Sequence, residues 1–232
     1  TELLSIAMQN PVKRWILQEL HFLGVNKMRI LLAGLLALLS MSLSAGPLQD
    51  ANAATDRGDY KSAMELLIPL AESGNADALG NLGNAYAFGR GVDKDLVKAY
   101  GYWSRAADKH LGQAMFNIAV LYWTGQGSFT KDEAKAAAWY KKAAEHRHDQ
   151  AMFTLSSIYA TGRGLEKNMQ LAAAWASLAA SNARTEQLKN ASLAQFREIV
   201  HGMDKEEMAK IQNIVNDLAK LIDANIKLYR GQ

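Results

Sequence analysis

The sequence predicts an all-α fold, an α-solenoid of stacked antiparallel helix pairs finished by C-terminal capping helices. Three observations carry this. A helix-capping residue recurs as Asp59, Asp95, Asp132 and Asn168, at spacings of 36, 37 and 36 residues. A small residue follows each cap four positions later, as Ala63, Ala99, Ala136 and Ala172. A glycine pair precedes three of the caps: Gly89 with Gly91, Gly125 with Gly127, and Gly162 with Gly164. A period in the mid-thirties made of two helices signals a stack in which each unit buries its apolar faces against its neighbours.

The central unit shows why these residue types serve. Ala114, Ile118, Leu121 and Tyr122 recur at helical spacing, and Gly125 and Gly127 then close the helix and turn the chain. Asp132 can accept from the free N–H groups that begin the second helix, which carries Ala136, Trp139, Tyr140, Ala143 and Ala144. The extra residue of this unit lies between Gly127 and Asp132, in the loop, where insertion costs least. Alanine and glycine let facing backbones approach. Tyrosine and tryptophan fill the wedge between one pair and the next, and Trp139 is the expected wedge of the central unit.

In the first full unit the residues read Ala78-x-x-x-Leu82-Gly83-x-x-Tyr86-x-x-Gly89-x-Gly91-Val92-x-x-Asp95-x-x-Lys98-Ala99. This resembles the Sel-one-like repeat (SLR), a relative of the tetratricopeptide repeat. The resemblance covers about residues 56–180. It implies a right-handed solenoid whose first helices line a concave face, and roles in envelope scaffolding, secretion-linked assembly or host interaction. The chain departs from the pattern at Tyr102, where tryptophan is usual. The glycine that ends the second helix is kept at Gly74 but is His110, Arg147 and Ala183 later, so those ends are expected to turn less sharply.

Residues 1–27 lack cap and repeat signals and read as a non-native or over-extended leader. Residues 28–45 read as a signal peptide. Met28 and Arg29 precede an apolar run from Ile30 to Leu43, with small residues at Ser42, Ser44 and Ala45. That run is shorter than the ~20 residues of a spanning helix, so cleavage without stable membrane insertion is expected. The solenoid then occupies 46–184. It opens with a helix over 48–57 and a second from Tyr60 to Ala71. Residues 185–232 form two longer amphipathic helices. Asp204-x-x-Glu207 starts the second as a capping box, and Met208, Ile211, Val215, Leu218, Ile222 and Ile226 form its apolar stripe. This pair reads as a terminal cap, with a dimerisation or partner helix as the alternative.

The charge excludes one class of function. Residues 1–45 hold Lys13, Arg14, Lys27 and Arg29 against Glu2 and Glu19. With these set aside, 22 basic face 21 acidic residues. Nucleic-acid binding needs a concentrated basic surface and is not expected. The absence of cysteine removes disulfides, thiol nucleophiles and thiolate metal sites.

Two stretches imitate chemistry. Ser128-Phe129-Thr130-Lys131 matches the S-x-x-K of penicillin-recognising enzymes, and some SLR proteins have carried a β-lactamase label, but it lies in the inserted loop without S-D-N or K-T-G. His146-Arg147-His148-Asp149 resembles a metal cluster, but it lies at a turn between units and its spacing fits no structural site. No catalytic residue, metal or cofactor is assigned, and the chain is read as a non-enzyme.

What remains is surface. Asn81, Asn117 and Thr154 share one repeat position on the first helices, and Asn84, Val120 and Ser157 another. Amides there offer donor and acceptor together and could hold a peptide backbone, or they could cap local backbone or face water. Phe116, Trp123 and Phe153 are candidate aromatic anchors. The expected function is an exported, periplasmic or secreted, scaffold that binds a protein or peptide partner through Asn81, Asn84, Asn117, Thr154, Ser157, Phe116 and Trp123. The rival readings are a cell-wall-related hydrolase and a polysaccharide-export scaffold; aromatic rows would favour sugar and amide rows peptide.

Overall fold

The computed structural model describes residues 46–230, with side chains to 228. The readings of 1–45 as leader and signal peptide lie outside the described residues. From Pro47 onward the chain forms one compact unit. Among the described residues there are ten helices and no strand: α1 (Pro47–Asp56), α2 (Tyr60–Glu72), α3 (Ala76–Phe88), α4 (Leu96–Asp108), α5 (Gly112–Thr124), α6 (Glu133–Glu145), α7 (Asp149–Thr161), α8 (Met169–Asn182), α9 (Glu186–Ile199) and α10 (Lys205–Arg230).

The first eight helices pack as antiparallel pairs, and each odd helix after α1 also packs on the even helix before it. The caps lie where the spacing puts them. Asp59 accepts from the Ser62 N–H, Asp95 from Val97 and Lys98, Asp132 from Lys135, and Asn168 from Leu171. The odd helices α3, α5 and α7 end in glycines of left-handed conformation, Gly89, Gly125 and Gly162. The second glycine of each loop lets the chain press on the preceding even helix. A Cβ on Gly164 would overlap the backbone oxygen of Glu133.

The ends of α4 and α6 correct one expectation. His110 and Arg147 take φ of +64° and +60°, in the same left-handed region as Gly74 at +86°. The same long bond closes all three turns: Asn75 N–H to Leu70 O, Leu111 N–H to Ala106 O, and His148 N–H to Ala143 O. The bond pattern holds the turn and the side chain bears the strain. Only Ala183 is extended, at φ −61° and ψ 128°.

A second correction concerns the wedge. In the central unit it is Tyr140, 4% exposed, and not Trp139, which is half-buried with the Lys142 ammonium 4.3 Å from its ring. Burial pushes the Tyr140 hydroxyl up to about 12. One unit earlier the corresponding residue is Trp103, lying where a Cβ on Gly83 would stand. At the third unit the position is Ala176, and the buried indole moves one residue back to Trp175.

Beyond the repeats, α9 packs on α8. The capping box of α10 forms as read: Asp204 N–H donates to Glu207 and Glu207 N–H to Asp204. From there α10 runs back across the even helices α8 and α6, burying Ile211 and Ile222.

Candidate partner-binding face

The face in question is the one carried by the odd helices. Their polar side chains lie close enough to bond across units, and they do. Asn81 Nδ2 donates to Asn52 Oδ1 of α1 at 2.8 Å. Asn117 Nδ2 donates to Asn84 Oδ1 at 2.9 Å, and the same oxygen accepts from the Trp103 indole N–H at 3.1 Å. Gln113 Nε2 donates to Asn117 Oδ1 at 3.0 Å, and His148 Nε2 approaches Gln113 Oε1 at 3.1 Å. Of the expected row only Asn117 joins this ladder, which runs from His148 at the start of α7 through Gln113 and Asn117 of α5 to Asn84 of α3; Asn81 turns to α1 instead.

His148 sets the ladder's direction. Its Nδ1 accepts the Ala151 N–H at 3.1 Å and so caps α7; the ring proton is then on Nε2, which donates to Gln113. Burial holds the imidazole down to about 4, against the smaller opposing pull of Asp149, so it is neutral near pH 7. The sequence alone sets His148 in a metal-like cluster. The signal that it caps was its position: three residues before Ala151, as Asn75 stands three before Ala78.

The rest of 146–149 diverges. His146 stacks on His110 at 5.4 Å, Arg147 donates to Asn182, and Asp149 takes a two-pronged bond from Arg184. Burial raises the Asp149 carboxyl, but the hydrogen bonds from Arg184 outweigh it and hold it at about 2. In the inserted loop, Lys131 pairs with Glu133 at 3.0 Å, and Ser128 is exposed.

Four of the remaining candidates are engaged within the chain. Phe116 stacks on His148 at 4.5 Å and meets Tyr140 edge-on. Trp123 lies edge-on to Tyr140, with the Arg163 guanidinium 4.5 Å from its ring centre. Thr154 returns its hydroxyl to Gln150 O. Ser157 accepts from Gln195 of α9 at 2.6 Å. Phe153 is half-buried against the core. A cleft of about 250 Å³ opens at the other end, between α1, α2 and α3, bordered by Asn52, Asp56, Tyr60, Asn81, Asn84 and Arg90; a second, of about 590 Å³, lies at the third repeat beside Asp149, Gln150, Arg184 and Leu188. Asn52, Gln113 and Arg90 were missed by repeat reasoning because their roles come from partners about 30 residues away.

Stacked two-helix units bonded face to face define an α-solenoid repeat protein. Residues 76–111, 112–148 and 149–183 match the Sel1 repeat family model, and this repeat region belongs to the Sel1 (SLR) repeat family. The chain is similar to the ERAD-associated E3 ubiquitin-protein ligase component HRD3A of Arabidopsis thaliana, 36% identical over 73 residues, which are 32% of this chain and 11% of that one. It is 42% identical over 69 residues to protein sel-1 homolog 2 of Mus musculus, covering 29% of this chain and 10% of that protein. The chain thus matches about a tenth of the length of these curated relatives. Among solved structures, a Sel1 repeat protein from Oxalobacter formigenes superposes with TM-score 0.61 at 26% identity, over 68% of this chain and 61% of that one. A protective antigen of uropathogenic Escherichia coli displaying an SLR fold superposes with TM-score 0.60 at 23% identity, over 75% and 41%, and shows the fold alone.

Proposed function

We propose that this protein is exported and works without catalysis, as a scaffold that binds an extended segment of another protein on the face of α1, α3, α5 and α7. The observation that carries the reading is the cleft bordered by Asn52, Asn81 and Asn84, where amide side chains meet apolar Ala63, Met64 and Leu67. Such a surface can bond a peptide backbone and bury part of a side chain. The relative named as a component of a ubiquitin-ligase assembly is consistent with a binding role. Export rests on the Met28 to Ala45 pattern, and N-terminal sequencing of the mature protein should begin near Ala45 to Pro47; mature chain retaining Ile30 to Leu43 would refute cleavage.

The binding reading is tested by the double variant Asn81→Ala, Asn117→Ala and, in a separate protein, by a photocrosslinker in place of Asn117. The variant should stay folded by circular dichroism and lose about two- to tenfold in affinity per lost bond. An unchanged titration would move the site off this face, to the solvent side of α10 first. A hydrolase reading predicts instead that Ser128→Ala abolishes a measured β-lactam hydrolysis; no such effect is expected.

A further inference from the structure

The loops of the first and third full units carry an arginine at one repeat position, Arg90 between Gly89 and Gly91 and Arg163 between Gly162 and Gly164. In both units the second glycine touches the first residue of the preceding even helix. Gly164 lies against Glu133 of α6 and Gly91 against Tyr60 of α2, and the middle unit keeps the register with Gly127 against Leu96. In the third unit the arginine is spent. Arg163 bonds the Glu133 carboxylate, and its hydrogen bond, with that of Lys131, holds this carboxyl down at about 2.

In the first unit Tyr60 stands where Glu133 stands in the third. Arg90 lies over the Tyr60 ring at 5.8 Å and the Phe88 ring at 5.1 Å, and among the described residues no carboxylate pairs with it. Arg90 is among the residues that border the open cleft. A guanidinium flanked by aromatic rings keeps its N–H edge for in-plane, two-pronged bonding to a carboxylate.

We infer that this cleft takes a single carboxylate, presented by an extended peptide segment of the partner, in the place that Glu133 fills for Arg163. The inference rests on the scaffold reading above and names its chemistry. The neighbouring amides suit a peptide group. Asn81 spends its Nδ2 on Asn52 and keeps its Oδ1; Asn84 spends its Oδ1 on Trp103 and Asn117 and keeps its Nδ2. That is one acceptor and one donor beside Arg90. Asp56 borders the same cleft, so one carboxylate accompanied by N–H donors fits, and a phosphate or a run of acidic residues does not. At about 250 Å³ the cleft is below the roughly 300–1,000 Å³ of small-molecule pockets, which suits one residue of a chain.

The test is a nuclear magnetic resonance titration of the full chain, reading the Arg90 Nε–H and the Asn81 and Asn84 side-chain amides. The probes are three pentapeptides. One is acetyl-Gly-Ala-Glu-Ala-Gly-amide, one has glutamine in place of glutamate, and one is the glutamine peptide with a free C-terminal carboxylate. Either carboxylate peptide should shift these signals saturably, and the tighter of the two tells side chain from chain end. The amidated glutamine peptide should bind about tenfold more weakly, as the loss of a charge-assisted bond requires. Arg163→Gln should leave the titration unchanged. Tyr60→Glu supplies the carboxylate in cis, so it should keep the helical signal and lose peptide binding about tenfold. Equal binding of all three peptides, binding of none, or unchanged binding by a folded Tyr60→Glu overturns the inference. If the peptides fail while the crosslinker at 117 still captures a partner, only the carboxylate assignment falls; if capture also fails, the scaffold reading falls with it.

Discussion

At the third repeat three polar groups of the solenoid are tied off. Arg163 is held by Glu133, Ser157 accepts from Gln195, and Asp149 is gripped by Arg184. At the first repeat the same backbone register leaves Arg90 over a tyrosine ring, beside a cleft that Asn81 and Asn84 border. The residue after the helix cap makes the difference, glutamate in one unit and tyrosine in the other. A repeat keeps its packing while one substitution decides whether a loop arginine is used inside the fold or offered outside it.

The frame that the two ends share should respond alike. Trp103→Ala and Tyr140→Ala each remove a buried aromatic wedge and should cost about 3–5 kcal/mol in urea unfolding. Trp139→Ala should cost clearly less, because that ring is half-exposed and packs on Lys142. If Trp139→Ala proved as damaging as Tyr140→Ala, the wedge would belong to the position the repeat pattern indicates.

The third repeat should fail in acid in a way the first does not. His148 has a folded pKa of about 4 against an ordinary 6.5. The folded state therefore binds fewer protons between these values, and stability is full above pH 6.5 and falls as pH drops to 4. The loss should reach about 3 kcal/mol by pH 4, at about 1.4 kcal/mol per pKa unit. Asp149 adds a later loss as pH falls from 3.8 toward 2. Asparagine can accept the Ala151 N–H without titrating, so His148→Asn should flatten the slope between pH 4 and 6.5. An unchanged slope would assign the acid loss elsewhere.

The smallest effect tests the ladder that separates the two ends. Asn117→Ala removes a donor to Asn84 and an acceptor for Gln113, at a cost of about 1 kcal/mol. It should move the Trp103 indole N–H resonance, because both share the Asn84 oxygen. A Trp103 signal that stays in place would break the ladder at its centre.

Much of the fold was legible because its signals are local. An aspartate four residues before an alanine caps its own helix, and a glycine ending an odd helix turns its own chain, whatever lies further away. The period follows from these, and so does the solenoid. The sequence by itself therefore determined the helices, their caps, their loops and the alignment of Asn81, Asn117 and Thr154 on one repeat position. Only the tertiary structure decided that Tyr140 and not Trp139 enters the core, since the two are adjacent and the choice depends on how neighbouring pairs rotate against each other. The fate of the polar residues was decided there too. Asn81 meets Asn52 across 29 residues, Asn117 meets Asn84 across 33, and His148 meets Gln113 across 35. A bond at such separation exists only once the units have stacked, so the sequence could display the amides but not whether they would be spent within the protein or left for a partner.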